Sequence, residues 1–238
     1  EVRALFPKAR IGRMDRDTTG KKGSAKKIID AVEAREVDIL IGTQMVSKGH
    51  HFPGVTLVGV VSGDTSLNIP DFRSAERTFQ LITQAAGRAG RGEAPGEVVI
   101  QTLNPDHYCL LAARTHDYEA FYSEEIALRE EVVYPPFVRL CSLRLEGPAE
   151  ARVAAVAREL RKAADRFLTA KKAPGITVLG PVPALLAKVR GRYRFQMLVK
   201  GPDVKRLHPF IKALKKGFDE RKAQGVTLIV DMDPLTIV

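Results

Sequence analysis

The sequence predicts an α/β protein in two parts, a partial parallel-sheet lobe followed by a small basic domain of order β-α-β-β-α-β. Three observations carry this. Short unbroken runs of Val, Ile and Leu alternate with amphipathic helical segments over the first hundred residues. A Tyr134-Pro135-Pro136-Phe137 break follows, and a Pro-Pro pair stops a helix. Beyond it the hydrophobic period switches between 2 and 3.6 in the stated order. The expected divisions are a lobe over 1–104, a helical connector over 105–136 and a basic domain over 137–238.

In the first part, Arg10 to Met14 reads as a short strand ended by the polar loop Asp15 to Gly23. Ser24 can cap a helix with Ala25, Ile28, Ile29 and Val32 at helical spacing. Asp38 to Ile41 and Val55 to Val61 are apolar strands without alternation, the habit of parallel strands buried on both faces. Ser74 to Arg88 reads as a helix with Ala75, Phe79, Ile82 and Ala86 on one side. Glu97 to Thr102 is a further strand. Residues 105–131 read as helical and acidic.

In the second part, Leu140 to Leu145 is a strand. Ala149 to Leu168 is an amphipathic helix striped by Val153, Val156, Leu160, Ala164 and Phe167. Ile176 to Leu179 is a strand, and Ala187 to Lys200 reads either as a strand pair around Arg190-Gly191 or as one long strand after a loop. Val204 to Phe218 is a second helix with Leu207, Ile211 and Leu214 in line, and Val226 to Asp231 closes as a strand. This order is the split-βαβ, ferredoxin-like arrangement.

Charge is unevenly divided. Residues 1–136 hold 17 Lys+Arg and 19 Asp+Glu, a net of −2; residues 137–238 hold 21 and 9, a net of +12. A positive excess confined to the last hundred residues points to a polyanion, with nucleic acid the first candidate. No stretch approaches the ~18 apolar residues that span a bilayer, so no membrane partner is expected; two cysteines without disulfide spacing make a reducing, cytoplasmic setting the expectation, and a monomer is expected. Cys109 and Cys141 lack metal-ligand spacing and read as buried small hydrophobes; no metal site is expected.

Chemistry concentrates in two segments. Gln84-Ala85-Ala86-Gly87-Arg88-Ala89-Gly90-Arg91-Gly92 puts an amide and two guanidinium groups at i, i+4 and i+7, with glycines that permit close approach. Converging guanidinium forks suit a polyphosphate. Gly42-Thr43-Gln44-Met45-Val46-Ser47-Lys48-Gly49-His50-His51-Phe52-Pro53 follows directly on a strand, where hydroxyl, amide and ammonium groups suit phosphate contacts. The paired histidines His50 and His51 could be ligands or a proton shuttle, but such a pair is more often packing and hydrogen bonding. In the last domain, Tyr193, Phe195, Met197 and Val199 share one strand parity and Arg192, Arg194, Gln196 and Lys200 the other, with Lys188 and Arg190 just before the turn. One face can pack while the other stays basic.

Taken together, these segments resemble the second motor lobe of a superfamily 2 helicase, a RecA-like lobe. Thr43-Gln44…Lys48-Gly49-His50-His51-Phe52-Pro53 looks like motif V, and Gln84…Gly87-Arg88…Gly90-Arg91 like motif VI. Asp15-Arg16-Asp17-Thr18, Pro70-Asp71-Phe72-Arg73-Ser74-Ala75-Glu76-Arg77, Leu179-Gly180-Pro181-Val182-Pro183-Ala184 and Asp231-Met232-Asp233-Pro234 narrow the resemblance to the PriA family of replication-restart helicases. Gly63 departs from it, standing where a bulkier residue is expected.

The resemblance implies a set of roles. Arg91, Arg88 and Gln84 would be catalytic, with Arg91 the arginine finger. Gly49, Gly87, Arg88 and Arg91 would line the site for ATP with Mg²⁺. Thr43, Gln44, Lys48 and His50 would touch DNA, while Lys188, Arg190, Arg192 and Arg194 form a phosphate track for single-stranded or forked DNA. The phosphate loop and acidic Mg²⁺ box, absent here, belong in the family to the first lobe, so this chain alone is expected to be inactive. The family's zinc module has no ligands here. Partners implied are single-stranded-DNA-binding protein and primosome or helicase-loading proteins. Two rivals share parts of the pattern, namely a DNA-binding and primosome-docking module without catalysis, and a different superfamily 2 motor.

Overall fold

A computed structural model of the chain describes residues 1–237, apart from 16, 19–22, 44–51, 53, 88, 90–95, 172–173 and 222–224. It is mixed α/β, with small parallel sheets and one antiparallel sheet. The chain forms two compact units, residues 1–68 with 75–121, and residues 69–74 with 122–238.

The first unit runs α1 (Val2–Leu5), β1 (Ile11–Met14), α2 (Ser24–Glu33), β2 (Ile39–Gly42), β3 (Leu57–Val60) and α3 (Asp64–Leu67). Then come α4 (Ser74–Ala86), β4 (Glu97–Ile100), α5 (Tyr108–Arg114) and the start of α6 (Tyr118–Glu131). The pairs β1–β2 and β3–β4 are parallel, in register Ile11↔Ile39 and Leu57↔Glu97. The expected parallel pairing is found, but not the expected burial on both faces. Leu57, Val61 and Val99 are more than half exposed, because two separate two-stranded pairs have too few neighbours to cover both sides. The core lies instead where α4 meets α5 and α6. There Phe79, Ile82, Cys109, Leu110 and Phe121 are buried together, with the Phe79 and Phe121 rings stacked 4.3 Å apart.

Residues 105–131 are largely helical, as expected, in the two helices α5 and α6. Thr115 ends α5, His116 takes a positive φ of 55°, and Asp117 Oδ1 accepts from Ala120 N at 2.9 Å to restart the backbone as α6. Gly63 also has a physical reason. A Cβ there would lie 3.2 Å from the Ile100 methyl, so the glycine lets Gly63 N reach Gln101 O at 2.8 Å.

The second unit contains β5 (Arg139–Gly147), α7 (Glu150–Lys171), β6 (Thr177–Val189), β7 (Arg192–Gly201), α8 (Val204–Glu220) and β8 (Thr227–Met232). Its sheet is antiparallel, in order β6-β7-β5-β8. Val153, Val156, Ala157, Leu160 and Ala164 of α7, with Leu207, Phe210, Ile211 and Leu214 of α8, bury one sheet face through Cys141, Leu143, Leu145, Met197 and Val199. Burial alternates over the middle of β5, from Cys141 to Leu145, and over the last part of β7, from Gln196 to Gly201, as a period of two requires there. Cys141 is fully buried, and burial pushes its thiol up to about 12.

One strand differs from expectation. Ile176–Leu179 and the segment before Arg190 read as separate, yet Thr177–Val189 is one irregular strand. Pro181 and Pro183 offer no N–H to a ladder, but β6 pairs only with β7 and tolerates the loss as an edge. The register slips between Leu179 and Val182 and again between Pro183 and Lys188.

Residues 69–74 pack with this unit although they precede α4. Asp71 is buried, and its Oδ2 accepts from Thr236 Oγ1 at 2.7 Å and Ile237 N at 3.2 Å. Phe72 stacks on Tyr134 at 5.3 Å, with the Arg129 guanidinium 5.3 Å from the Phe72 ring. Lys200 lies 3.7 Å over the Tyr134 ring and donates to Val132 O at 2.9 Å.

Candidate nucleotide and nucleic-acid interface

The Gln84–Gly92 run begins in the last turn of α4. Phe79, Ile82 and Ala85 face the core, which leaves Gln84 exposed. The helix frays into turns through Gly87 N to Thr83 O at 3.0 Å and Ala89 N to Ala86 O at 3.1 Å. Arg88 and Arg91 lie outside the described residues. Thr43 stands exposed immediately beyond the C-terminal end of β2; Gln44, Lys48, Gly49 and His50 lie outside the described residues.

Two acidic groups brace loops beside these strands. Asp15 follows β1, and its Oδ1 accepts from Asp17 N and Thr18 N at 3.1 and 2.9 Å. The Thr18 hydrogen bond, with the contact to Arg13, holds its carboxyl below the usual range. Asp64 accepts from Leu103 N and Thr102 Oγ1, each at 2.8 Å, and is lowered by these same bonds. Both carboxylates serve loop geometry.

In the second unit Arg144, Arg192 and Arg194 stand on the sheet face opposite α7 and α8, alternating with the buried Leu143, Leu145, Met197 and Val199, while further basic side chains lie along the two helices. The hairpin joining β6 and β7 turns at Arg190-Gly191, with φ of 49° and 77°, the doubly positive geometry of a two-residue turn that suits strand twist. Arg190 is exposed at this tip. Lys188 is held back along the hairpin, its ammonium donating to Tyr193 Oη at 3.1 Å and lying 4.5 Å from that ring.

Arg192 and Arg194 converge on Glu146 of β5. Glu146 stands opposite Arg194 on one side and Thr227 on the other. Its Oε1 lies 3.0 Å from Arg194 Nε and its Oε2 3.8 Å from Arg192 Nε. Arg192 also donates to Glu146 O and to Thr227 Oγ1, both at 3.1 Å. Arg144, two residues earlier on the same face, places Nε 2.9 Å from Oε1. Arg144 and Glu146 did not stand out from the sequence. Their signal was present, since they alternate with the buried Leu143 and Leu145, but a polar alternation does not reveal which cross-strand groups it meets.

Among the described residues no group of three or more His, Cys, Asp or Glu is placed to hold a metal, and no helix is long and apolar enough to cross a membrane.

A family profile described as the primosomal protein N C-terminal domain matches residues 130–235. The chain is 43% identical over 235 residues to a Bacillus subtilis (strain 168) protein named replication restart protein PriA, covering 98% of this chain and 29% of that one. Proteins of the same name from Synechocystis and Haemophilus influenzae are 41% and 39% identical, each over 98% of this chain and over 27% and 31% of their own lengths. The chain thus spans about three-tenths of the relatives it matches.

Proposed function

We infer, for a chain that belongs to the PriA family of replication restart proteins and matches their C-terminal region, that it supplies two of the working surfaces of an ATP-dependent DNA helicase. Its first unit acts as a second RecA-like lobe, and its second as a ferredoxin-like DNA-binding domain. The observation that carries this reading is the alignment with PriA relatives over 98% of the chain, which spans the motif V-like and motif VI-like segments and the basic domain alike.

Arg91 completes the ATP site as arginine finger. Arg88 neutralises the developing phosphate charge, and Gln84 orients the γ-phosphate or the attacking water. Gln84 is exposed at a helix end, a placement that supports the role. Gly49 and Gly87 let the nucleotide approach. Magnesium and the remaining phosphate contacts come from a first lobe, so this chain by itself turns over no ATP. The exposed Leu57, Val61, Val99 and Leu103 are in keeping with a lobe that works against another. Thr43, Gln44, Lys48 and His50 contact the DNA backbone and couple closure to a step along the strand. Arg190, Arg192 and Arg194, with Lys188 behind them, track single-stranded or forked DNA, and replication-restart partners dock on the assembled protein.

The test is Arg91→Ala in the full-length protein. An arginine finger contributes about 10³–10⁵ in rate, so DNA-stimulated ATPase and fork unwinding should vanish while fork binding is kept. Near-normal turnover would remove the assignment, and ATPase from this chain alone would refute the division of the site between lobes.

A further inference from the structure

We propose that Arg144, Arg192 and Arg194 form a discrete clamp for phosphodiester groups on the sheet face opposite α7 and α8, organised by Glu146. This rests on the DNA-binding reading of the second unit and adds a ligand, Arg144, and a positioning residue, Glu146, that the reading lacks.

Charge balance comes first. Three guanidinium groups meet one carboxylate, leaving two positive charges in excess within a few ångströms. Glu146 is only 11% exposed in its side chain, and Arg194 only 23%, so water screens this repulsion weakly. A stabilising ion pair needs one arginine per carboxylate; the others raise the cost. Two backbone phosphates, each carrying one negative charge, would balance the cluster.

Geometry points the same way. Arg144 and Arg194 both turn Nε toward the same oxygen, Glu146 Oε1. Neither contact has the direction of a hydrogen bond, and the three atoms are buried. The terminal nitrogens of Arg144 and Arg194 donate no hydrogen bond to another described residue, while Arg192 spends one nitrogen on Glu146 O and Thr227. The carboxylate therefore holds these side chains by their inner edges and leaves forked outer edges for a ligand. Guanidinium forks match phosphate oxygens two at a time.

Arg144 and Glu146 are on β5, Arg192 and Arg194 on the neighbouring β7, and Thr227 on β8. The cluster thus spans three adjacent strands of a rigid sheet, and side chains held by strands present a fixed spacing to a repeating polyanion. The binding groups centre on this sheet face, with Arg190 at the hairpin tip as an outlier.

The experiment titrates the wild-type chain and variants with a fluorescently labelled oligo(dT) strand between about 50 and 200 mM salt, with folding checked by circular dichroism. Arg144→Gln should weaken binding about fivefold and lower the salt slope by about 0.7, the loss of one phosphate contact on single-stranded DNA. Glu146→Gln is the sharper case. It adds a positive charge, so a mere electrostatic patch would bind more tightly; a clamp that needs its organiser binds more weakly. Arg144→Lys keeps the charge without the fork, so it should hold the slope and still lose affinity, and it serves if Arg144→Gln does not fold.

An unchanged slope in Arg144→Gln, or tighter binding by Glu146→Gln, overturns the clamp while leaving DNA binding by the domain intact. No oligo(dT) binding by the wild type overturns the underlying reading instead. Inorganic phosphate distinguishes the source of the ligand. Arg144-dependent phosphate binding, with oligo(dT) binding indifferent to Arg144, would assign the site to a free phosphate and overturn the DNA assignment.

Discussion

Replacing Asp71 by alanine tests whether the segment before α4 is fastened to the second unit as the contacts indicate. The Asp71 carboxylate is 7% exposed. Its Oδ2 accepts from Thr236 Oγ1 and Ile237 N at 2.7 and 3.2 Å, and its Oδ1 from Arg73 N at 2.9 Å. Thr236 is exposed, so its hydroxyl can turn to water at little cost. The two main-chain N–H groups are partly buried and fixed. Each costs about 1–1.5 kcal/mol when left unpaired, giving about 2–3 kcal/mol in all. For a unit near 120 residues this is a fall in Tm of roughly 8–12 °C. Asp71→Asn should cost about half as much, because its oxygen still accepts one of these N–H groups while its NH2 faces the other. Thr236→Val should cost only about 1 kcal/mol. The chain has no Trp, so the assay is thermal unfolding by far-UV circular dichroism. A Tm within about 2 °C of wild type for Asp71→Ala would show that these hydrogen bonds do not hold the segment or the C-terminal tail.

Two further outcomes are expected. Gly147→Ala should destabilise the second unit by about 1–3 kcal/mol in urea unfolding, since a Cβ there would lie 2.6 Å from Gly225 O and 2.8 Å from a Val153 methyl; wild-type stability would mean that the end of β5 is loosely packed. In the first unit, the Arg10 side chain and main-chain N–H hold the Asp38 carboxyl down at about 2, against an ordinary value of 3.8. Because the folded value is depressed, this link is fully present above about pH 4 and lost as pH falls through about 2. Carboxyl NMR should give an Asp38 midpoint well below 3.8, and a midpoint at or above that value contradicts the ion pair.

Much of the second unit was legible because its residues obey single periods. The helix of Val153, Val156, Leu160 and Ala164 follows from a 3.6 repeat, and the faces of β7 from a repeat of two. What escaped was non-local. Thr177–Val189 reads as a strand and a loop because Gly180, Pro181 and Pro183 are poor ladder residues; only its place at a sheet edge makes the full strand possible. Asp71 precedes α4 closely enough to serve as a local cap. Asp71 does accept from Arg73 N, but its second oxygen is taken by Thr236 and Ile237, 165 and 166 residues away. No local pattern carries that information.

The same division runs through the candidate sites. The order of elements in the last domain, the concentration of positive charge there, and the residue types of the Gln84–Gly92 and Thr43–Pro53 runs can all be read along the chain, because composition and period are properties of neighbours in sequence. The tertiary structure decided how that charge is arranged. Lys188 is folded onto Tyr193, Lys200 is drawn over Tyr134, and Arg192 and Arg194 are gathered with Arg144 on one carboxylate. Strand register does this, since it brings together groups about fifty residues apart and makes a solvated basic face into a shaped one.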